Sequence, residues 1–139
     1  MTILHLPFFP LQPTQVAKYL ATPDMRIDYR RAAPEIWERG PHTAASDTWS
    51  MGTLIWEVMA SFSGARDVEL YRGFSDAEVH EQMRAGRHLR RPDDCPEPIY
   101  ALIVACWAPR PAQRPTLIQL HIELENILNQ MDPNGSVAV

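Results

Sequence analysis

Cysteine is scarce in this chain: Cys95 and Cys106 are the only two in 139 residues, and they form no CxxC pair. A disulfide framework is excluded, and a reducing compartment, the cytoplasm, is expected. Long apolar runs are missing too. The opening "MTILHLPFFPLQP" is interrupted by His5, Pro7 and Pro10 and has no basic region ahead of it. It is too short to span a bilayer and does not read as a signal peptide, so no membrane segment is expected. Positive charge is not in excess, with 13 Lys and Arg against 17 Asp and Glu. That balance argues against a nucleic-acid partner. The five histidines (His5, His42, His80, His88 and His121) show no HExxH or comparable spacing, and no metal site is read from them. No segment makes a convincing strand, and no repeat is evident.

What is present is a globular composition, 45% hydrophobic and 22% charged, in a chain long enough to bury one core. Thirteen prolines divide it into segments. Residues 1–13 read as irregular, "TQVAKYLA" as two weak helical turns, and "TPDMRIDYRR" as an exposed loop. Pro34 suits the first turn of a short helix, where its missing N–H costs little. "SDTWSMGTLIWEVMAS" (46–61) is predicted as a helix opened and capped by Asp47, whose carboxylate would meet the helix dipole. Its apolar residues point in nearly every direction, which suits a helix in the middle of a larger domain. Residues 61–74 read as a connection. "SDAEVHEQMRAG" (75–86) carries Ser75 and Glu78 at capping-box spacing, an apolar face of Val79 and Met83, and Gly86 as a stop. Helices are also predicted over 98–107 and 116–131. The latter carries an apolar stripe of Leu117, Leu120, Leu124, Ile127, Leu128 and Met131. The coarse reading is mainly α, ending in a flexible tail over 132–139.

Three separated signals ask for one explanation: "AAPE" (32–35), "SDTWSMG" (46–52) and "CWAPRPAQRPT" (106–116). In this order and at these distances they resemble the C-terminal part of the large lobe of a protein kinase. The stretches "LRRPDDCPE" and "IYALIVACW" are similar to the tyrosine-kinase branch. The resemblance covers residues 19–131 and leaves 1–18 as an N-terminal segment without a family match. It implies a helical kinase-like lobe with no catalytic residue in this chain.

The resemblance also implies roles. Glu35 and Arg114 would form a buried ion pair pinning the activation segment to the lobe. Asp47 would anchor the start of the central helix and, in the family, accept hydrogen bonds from the catalytic loop. Trp49 and Trp107 would be core residues. Tyr19 stands where many tyrosine kinases carry the regulatory tyrosine of the activation loop, and reads equally as a half-buried aromatic. Tyr29 is a lesser candidate for phosphorylation, beside Arg30 and Arg31 of the candidate substrate loop. In that loop Asp28 and Arg31 stand where the family usually has proline and tryptophan, so peptide recognition departs from the family pattern.

Phosphoryl transfer needs a phosphate cradle, a lysine, a catalytic aspartate and metal-holding groups. The corresponding GxGxxGxV, VAIK, HRD and DFG signatures do not occur in these 139 residues, and no glycine precedes Gly40. The parent family uses ATP and magnesium; no cofactor is expected on this chain, which is expected to be inactive alone. Two roles are then open. One is the partial domain of a tyrosine kinase, and the other is a binding module that docks a protein partner or the missing kinase half.

Overall fold

Five α-helices and two 3-10 turns make up residues 27–64 and 68–134, which the computed structural model describes. No strand forms among these residues. The expectations placed on residues 1–26, including the helical turns over 14–21 and the role of Tyr19, lie outside the described residues, as does the end of the tail. After a 3-10 turn at Tyr29–Arg31 come α1 (Pro34–Trp37), α2 (Ala44–Phe62), α3 (Asp76–Arg84) and α4 (Glu97–Cys106). A second 3-10 turn, Pro111–Gln113, leads into α5 (Leu117–Met131). The turn at 29–31 corrects the reading of 22–31 as plain loop.

Side-chain caps set three of the helix starts. Ser75 accepts from the Glu78 amide while the Glu78 carboxylate accepts from the Ser75 amide, closing a capping box on α3. Thr116 and Gln119 do the same for α5. On α2 the cap is Thr43, paired reciprocally with Ser46. Asp47 is therefore not the cap. It lies exposed in the first turn of a helix that begins earlier than the sequence reading placed it. The short Thr43 and Ser46 hydroxyls reach the free amides first, and the Asp47 amide is already bonded to the Thr43 carbonyl at 3.0 Å. At the far end of α3, Gly86 takes φ +74° and the Arg87 amide reaches back to the Gln82 carbonyl at 2.9 Å. A side chain in that conformation would be strained, which is why glycine stops the helix there.

Helix α2 is the axis of the fold, and its packed face is unusual. The residues it buries are mostly small or hydroxyl-bearing: Ser46, Thr48, Gly52, Thr53 and Ala60, with Trp49 as the one large member. The threonine hydroxyls donate to carbonyls one turn back, Thr48 to Ala44 at 3.1 Å and Thr53 to Trp49 at 3.3 Å, so their burial leaves no polar group unpaired. Small residues let α4 come close. A Cβ added at Gly52 would stand 2.5 Å from the Cys106 Cβ. Trp107, just beyond α4, donates its indole N–H to the Thr53 hydroxyl at 3.0 Å.

The remaining core is assembled around this pair. Val79 and Met83 of α3 pack with Ala33 and Ile36 beside α1, with Ile99 and Ile103 of α4, and with Trp49 and Trp107. Leu70 and Tyr71 belong to this core as well, although they lie in the segment read as a connection. Helix α5 is held less deeply. Of its expected stripe only Leu120 is buried, Leu124 and Ile127 are half-buried, and Leu117, Leu128 and Met131 are exposed. The outer side of α2 also shows large apolar groups: Met51, Leu54, Val58 and Phe62, the last 75% exposed.

Gly52→Ala tests the close approach of α2 and α4. Alanine gains about 1 kcal/mol in helix propensity, but overpacking a tight contact costs about 1–3 kcal/mol. The expected result in a denaturant melt is a net loss of stability. An unchanged or higher midpoint would show that the two helices have room to part.

Candidate functional site: the APE segment and its arginine pin

The end of the APE segment is held by a single guanidinium. Arg114 follows the second 3-10 turn, its side chain wholly buried. Its Nη1 and Nη2 donate to the two Glu35 carboxylate oxygens at 2.7 and 2.9 Å, a bidentate pair. Its Nε donates to the Ala108 carbonyl at 2.8 Å. The remaining Nη protons go to Ala45 at 3.0 Å and Pro109 at 3.3 Å. Every donor of the guanidinium therefore has a partner. The group also lies 5.1 Å from the centre of the Trp49 ring, over its face. One side chain thus joins α1, the first turn of α2 and the linker from α4 to α5.

Glu35 is less buried, with 23% of its side chain exposed. Burial alone would push its carboxyl above the usual range. The hydrogen bond from Arg114, a backbone bond and the cation's charge together outweigh this and leave the group below that range. Gly40 closes the segment against the same residue. Its amide bonds the Glu35 carbonyl at 2.8 Å, and a Cβ there would stand 2.6 Å from that oxygen. The sequence brings Glu35 and Arg114 together across 79 positions.

Arg30 and Arg31 lie just ahead of this segment, and both are engaged within the chain. Arg30 donates to Asp76 at 3.1 Å, to the Leu70 and Tyr71 carbonyls at 3.0 and 3.2 Å, and to Phe74 at 2.8 Å. It staples the 68–74 segment and the start of α3 to the APE loop. Arg31 bonds Asp28 at 2.8 Å and both carboxylate oxygens of Glu57 at 2.7 and 2.9 Å. Burial raises the Glu57 carboxyl, and nearby Asp28 adds to this against the pull of Arg31. Tyr29 is exposed although its ring lies 5.3 Å from that of Trp37, and its carbonyl accepts from the Trp37 indole at 2.7 Å. Asp47 stands apart from all of these.

Sequence reading missed the Glu57 partner, the Thr43 cap and the cation–ring contact under Arg114. Only the cap had a signal, the Thr43 and Ser46 pair at capping-box spacing. Neither cysteine is placed as a nucleophile. Both are buried and free, and burial pushes the Cys106 thiol up to about 11. No helix among the described residues is long and apolar enough to cross a membrane.

Against known proteins, residues 10–124 match the family model described as protein tyrosine and serine/threonine kinase. The chain belongs to this protein kinase family. The described fold is the C-terminal part of the family's large lobe, from the APE motif to the last helix. Among curated relatives, the tyrosine-protein kinase receptor TYRO3 of Rattus norvegicus is 37% identical over 90 residues, covering 65% of this chain and 10% of that protein. Ephrin type-A receptor 1 of Mus musculus is 39% identical over 110 residues, 79% of this chain and 10% of the receptor. Tyrosine-protein kinase Fer of Rattus norvegicus is 33% identical over 102 residues, 73% of this chain and 12% of that kinase. The chain thus spans about a tenth of the length of these relatives.

Three outcomes follow from the pin. Glu35→Ala strands a wholly buried guanidinium and is expected to cost about 3 kcal/mol in a urea melt. Arg114→Lys keeps the charge but loses the fork, and is expected to cost at least about 2 kcal/mol. Because the folded Glu35 value is depressed, its contribution is present above the unfolded value near 4.5 and is lost as pH falls through the folded value. Melts at falling pH should show this acid loss in the wild-type chain and a reduced one in Glu35→Gln. At the other staple, Arg30→Ala should speed amide exchange across 68–74 while leaving the global midpoint within about 1–2 kcal/mol.

Proposed function

We propose that this chain supplies the substrate-side part of a protein tyrosine kinase lobe and transfers no phosphate by itself. The observation that supports the reading is the bidentate Arg114–Glu35 pair, which fixes the APE segment, just after the candidate substrate loop, to the helical core. The rest of the phosphate chemistry requires groups this sequence does not contain. Electrostatic positioning of phosphates and metal is nearly the whole of such catalysis, so without those groups no turnover is expected. In a kinase that includes them, ATP and magnesium would be held by residues other than those described here, and the acceptor would be a protein tyrosine.

On this reading Arg30 and Arg31 serve the substrate loop by shaping it, each bound to the elements behind it. Tyr29, an exposed residue, is the candidate phosphorylation site among the described residues. Tyr19 is the other candidate, and a phosphate at either would add about two negative charges for arginines to hold. The scarcity of cysteine supports a cytoplasmic setting.

A second reading has an observation of its own. Met51, Leu54, Val58 and Phe62 form an exposed apolar side on the central helix, which suits a module that docks a protein partner or the remaining half of a kinase lobe. In-frame HRD and DFG motifs upstream in the transcript would favour the enzyme, and their absence the module. The activity itself is tested with the purified chain, ATP, magnesium and a tyrosine-containing polypeptide acceptor. No phosphate incorporation is expected; incorporation that persists after contaminating kinases are removed would overturn the proposal.

A further inference from the structure

The arginines of this fold divide into two groups. Arg30, Arg31 and Arg114 are tied to carboxylates and carbonyls within the chain. The guanidiniums of Arg87, Arg90 and Arg91 make no hydrogen bond or ion pair among the described residues, and all three residues are exposed. They stand on one short run, residues 87–92, which has no helical structure and lies between α3 and α4. Two clefts open along this run. The larger, about 680 Å³, is lined by Arg90 and Arg91 with Trp56 of α2 as its wall. The smaller, about 250 Å³, is lined by Arg87 and Arg90. Arg72 and Leu89 border both, so the two form one groove.

The floor of the groove is fixed. The Trp56 indole donates to the Arg90 carbonyl at 2.9 Å, and the Tyr100 hydroxyl donates to the Leu89 carbonyl at 2.7 Å. The backbone of the run is thereby held while its guanidiniums stay available, an arrangement that lowers the cost of ordering on binding. The charge pattern also selects the occupant. Glu69, which pairs with Arg72 at 3.0 Å, and Asp93 stand in the same walls. Such interspersed carboxylates repel a continuous polyanion, yet leave separate guanidinium forks for single carboxylates. The chain as a whole carries a formal charge of -4, which further disfavours nucleic acid.

We infer that the groove along Arg87, Arg90 and Arg91 docks an extended, acidic segment of a protein partner, its glutamate or aspartate side chains entering the clefts on either side of Leu89. This surface is separate from the APE segment and from the exposed side of α2, and it requires no phosphoryl transfer.

The test is fluorescence anisotropy on the full chain with a labelled octapeptide of alternating glutamate and alanine. Its glutamine counterpart and heparin serve as comparators. Saturable binding of the glutamate peptide, at least tenfold tighter than the glutamine peptide, is expected. The Arg90→Ala/Arg91→Ala double variant should weaken it at least tenfold, while Arg110→Ala, outside both clefts, should leave it unchanged. Should the alanine pair fail to fold, the Arg90→Glu/Arg91→Glu pair is used, which should exchange preference to a lysine peptide. The proposal is overturned by equal binding of the glutamine peptide, by tighter binding of heparin, or by an equal loss in Arg110→Ala.

Discussion

The structure depends on one buried cation. Arg114 carries a full charge into the interior, which by itself would oppose folding, and the fold answers every one of its donors. Two bonds go to a carboxylate and three to carbonyls in the first turn of α2 and just after α4. A buried charge is tolerated only when it is paired and hydrogen-bonded in this way. The arrangement makes the short APE helix part of the core although it has only one turn. A four-residue helix has no stability of its own, and the pin together with Pro34, Ile36 and the Gly40 closure holds it in place.

The same economy of space governs the central helix. Its buried face is made of hydroxyl and small residues because α4 must come near enough for Trp107 to reach Thr53. Of its large apolar residues, Trp49, Ile55, Trp56 and Met59 pack against the core, while Met51, Leu54, Val58 and Phe62 are turned to the other side and face solvent. In the protein kinase family, to which the chain belongs, this helix runs through the middle of the large lobe. Its apolar outer side and its polar inner side then follow from one requirement, that neighbours be accommodated on both.

Much of this was legible in the sequence where the signal was local. Ser75, Glu78 and Gly86 announce the limits of α3 because caps act over three or four residues. The order of "AAPE", "SDTWSMG" and "CWAPRPAQRPT" carried the family, and with it the approach of Glu35 to Arg114. What was not legible depended on choices between similar groups. Thr43 rather than Asp47 caps α2, since a serine at Ser46 closes the box as well as a glutamate would. Leu70 and Tyr71 reach the core from a segment with no periodicity, held there by Arg30. The apolar stripe of α5 is covered unevenly, with Leu120 buried and Leu124 and Ile127 half-buried, because depth of packing is not encoded in the spacing.

The central claim is that the Arg114 pin makes the APE segment part of the cooperative core. Native-state amide hydrogen exchange tests it most directly, through the Gly40 amide bonded to the Glu35 carbonyl. Gly40 is expected to exchange only with global unfolding, at the same free energy as the buried amides of Trp49 and Thr53 in α2. Exchange of Gly40 through local opening, with the α2 amides still protected, would contradict it.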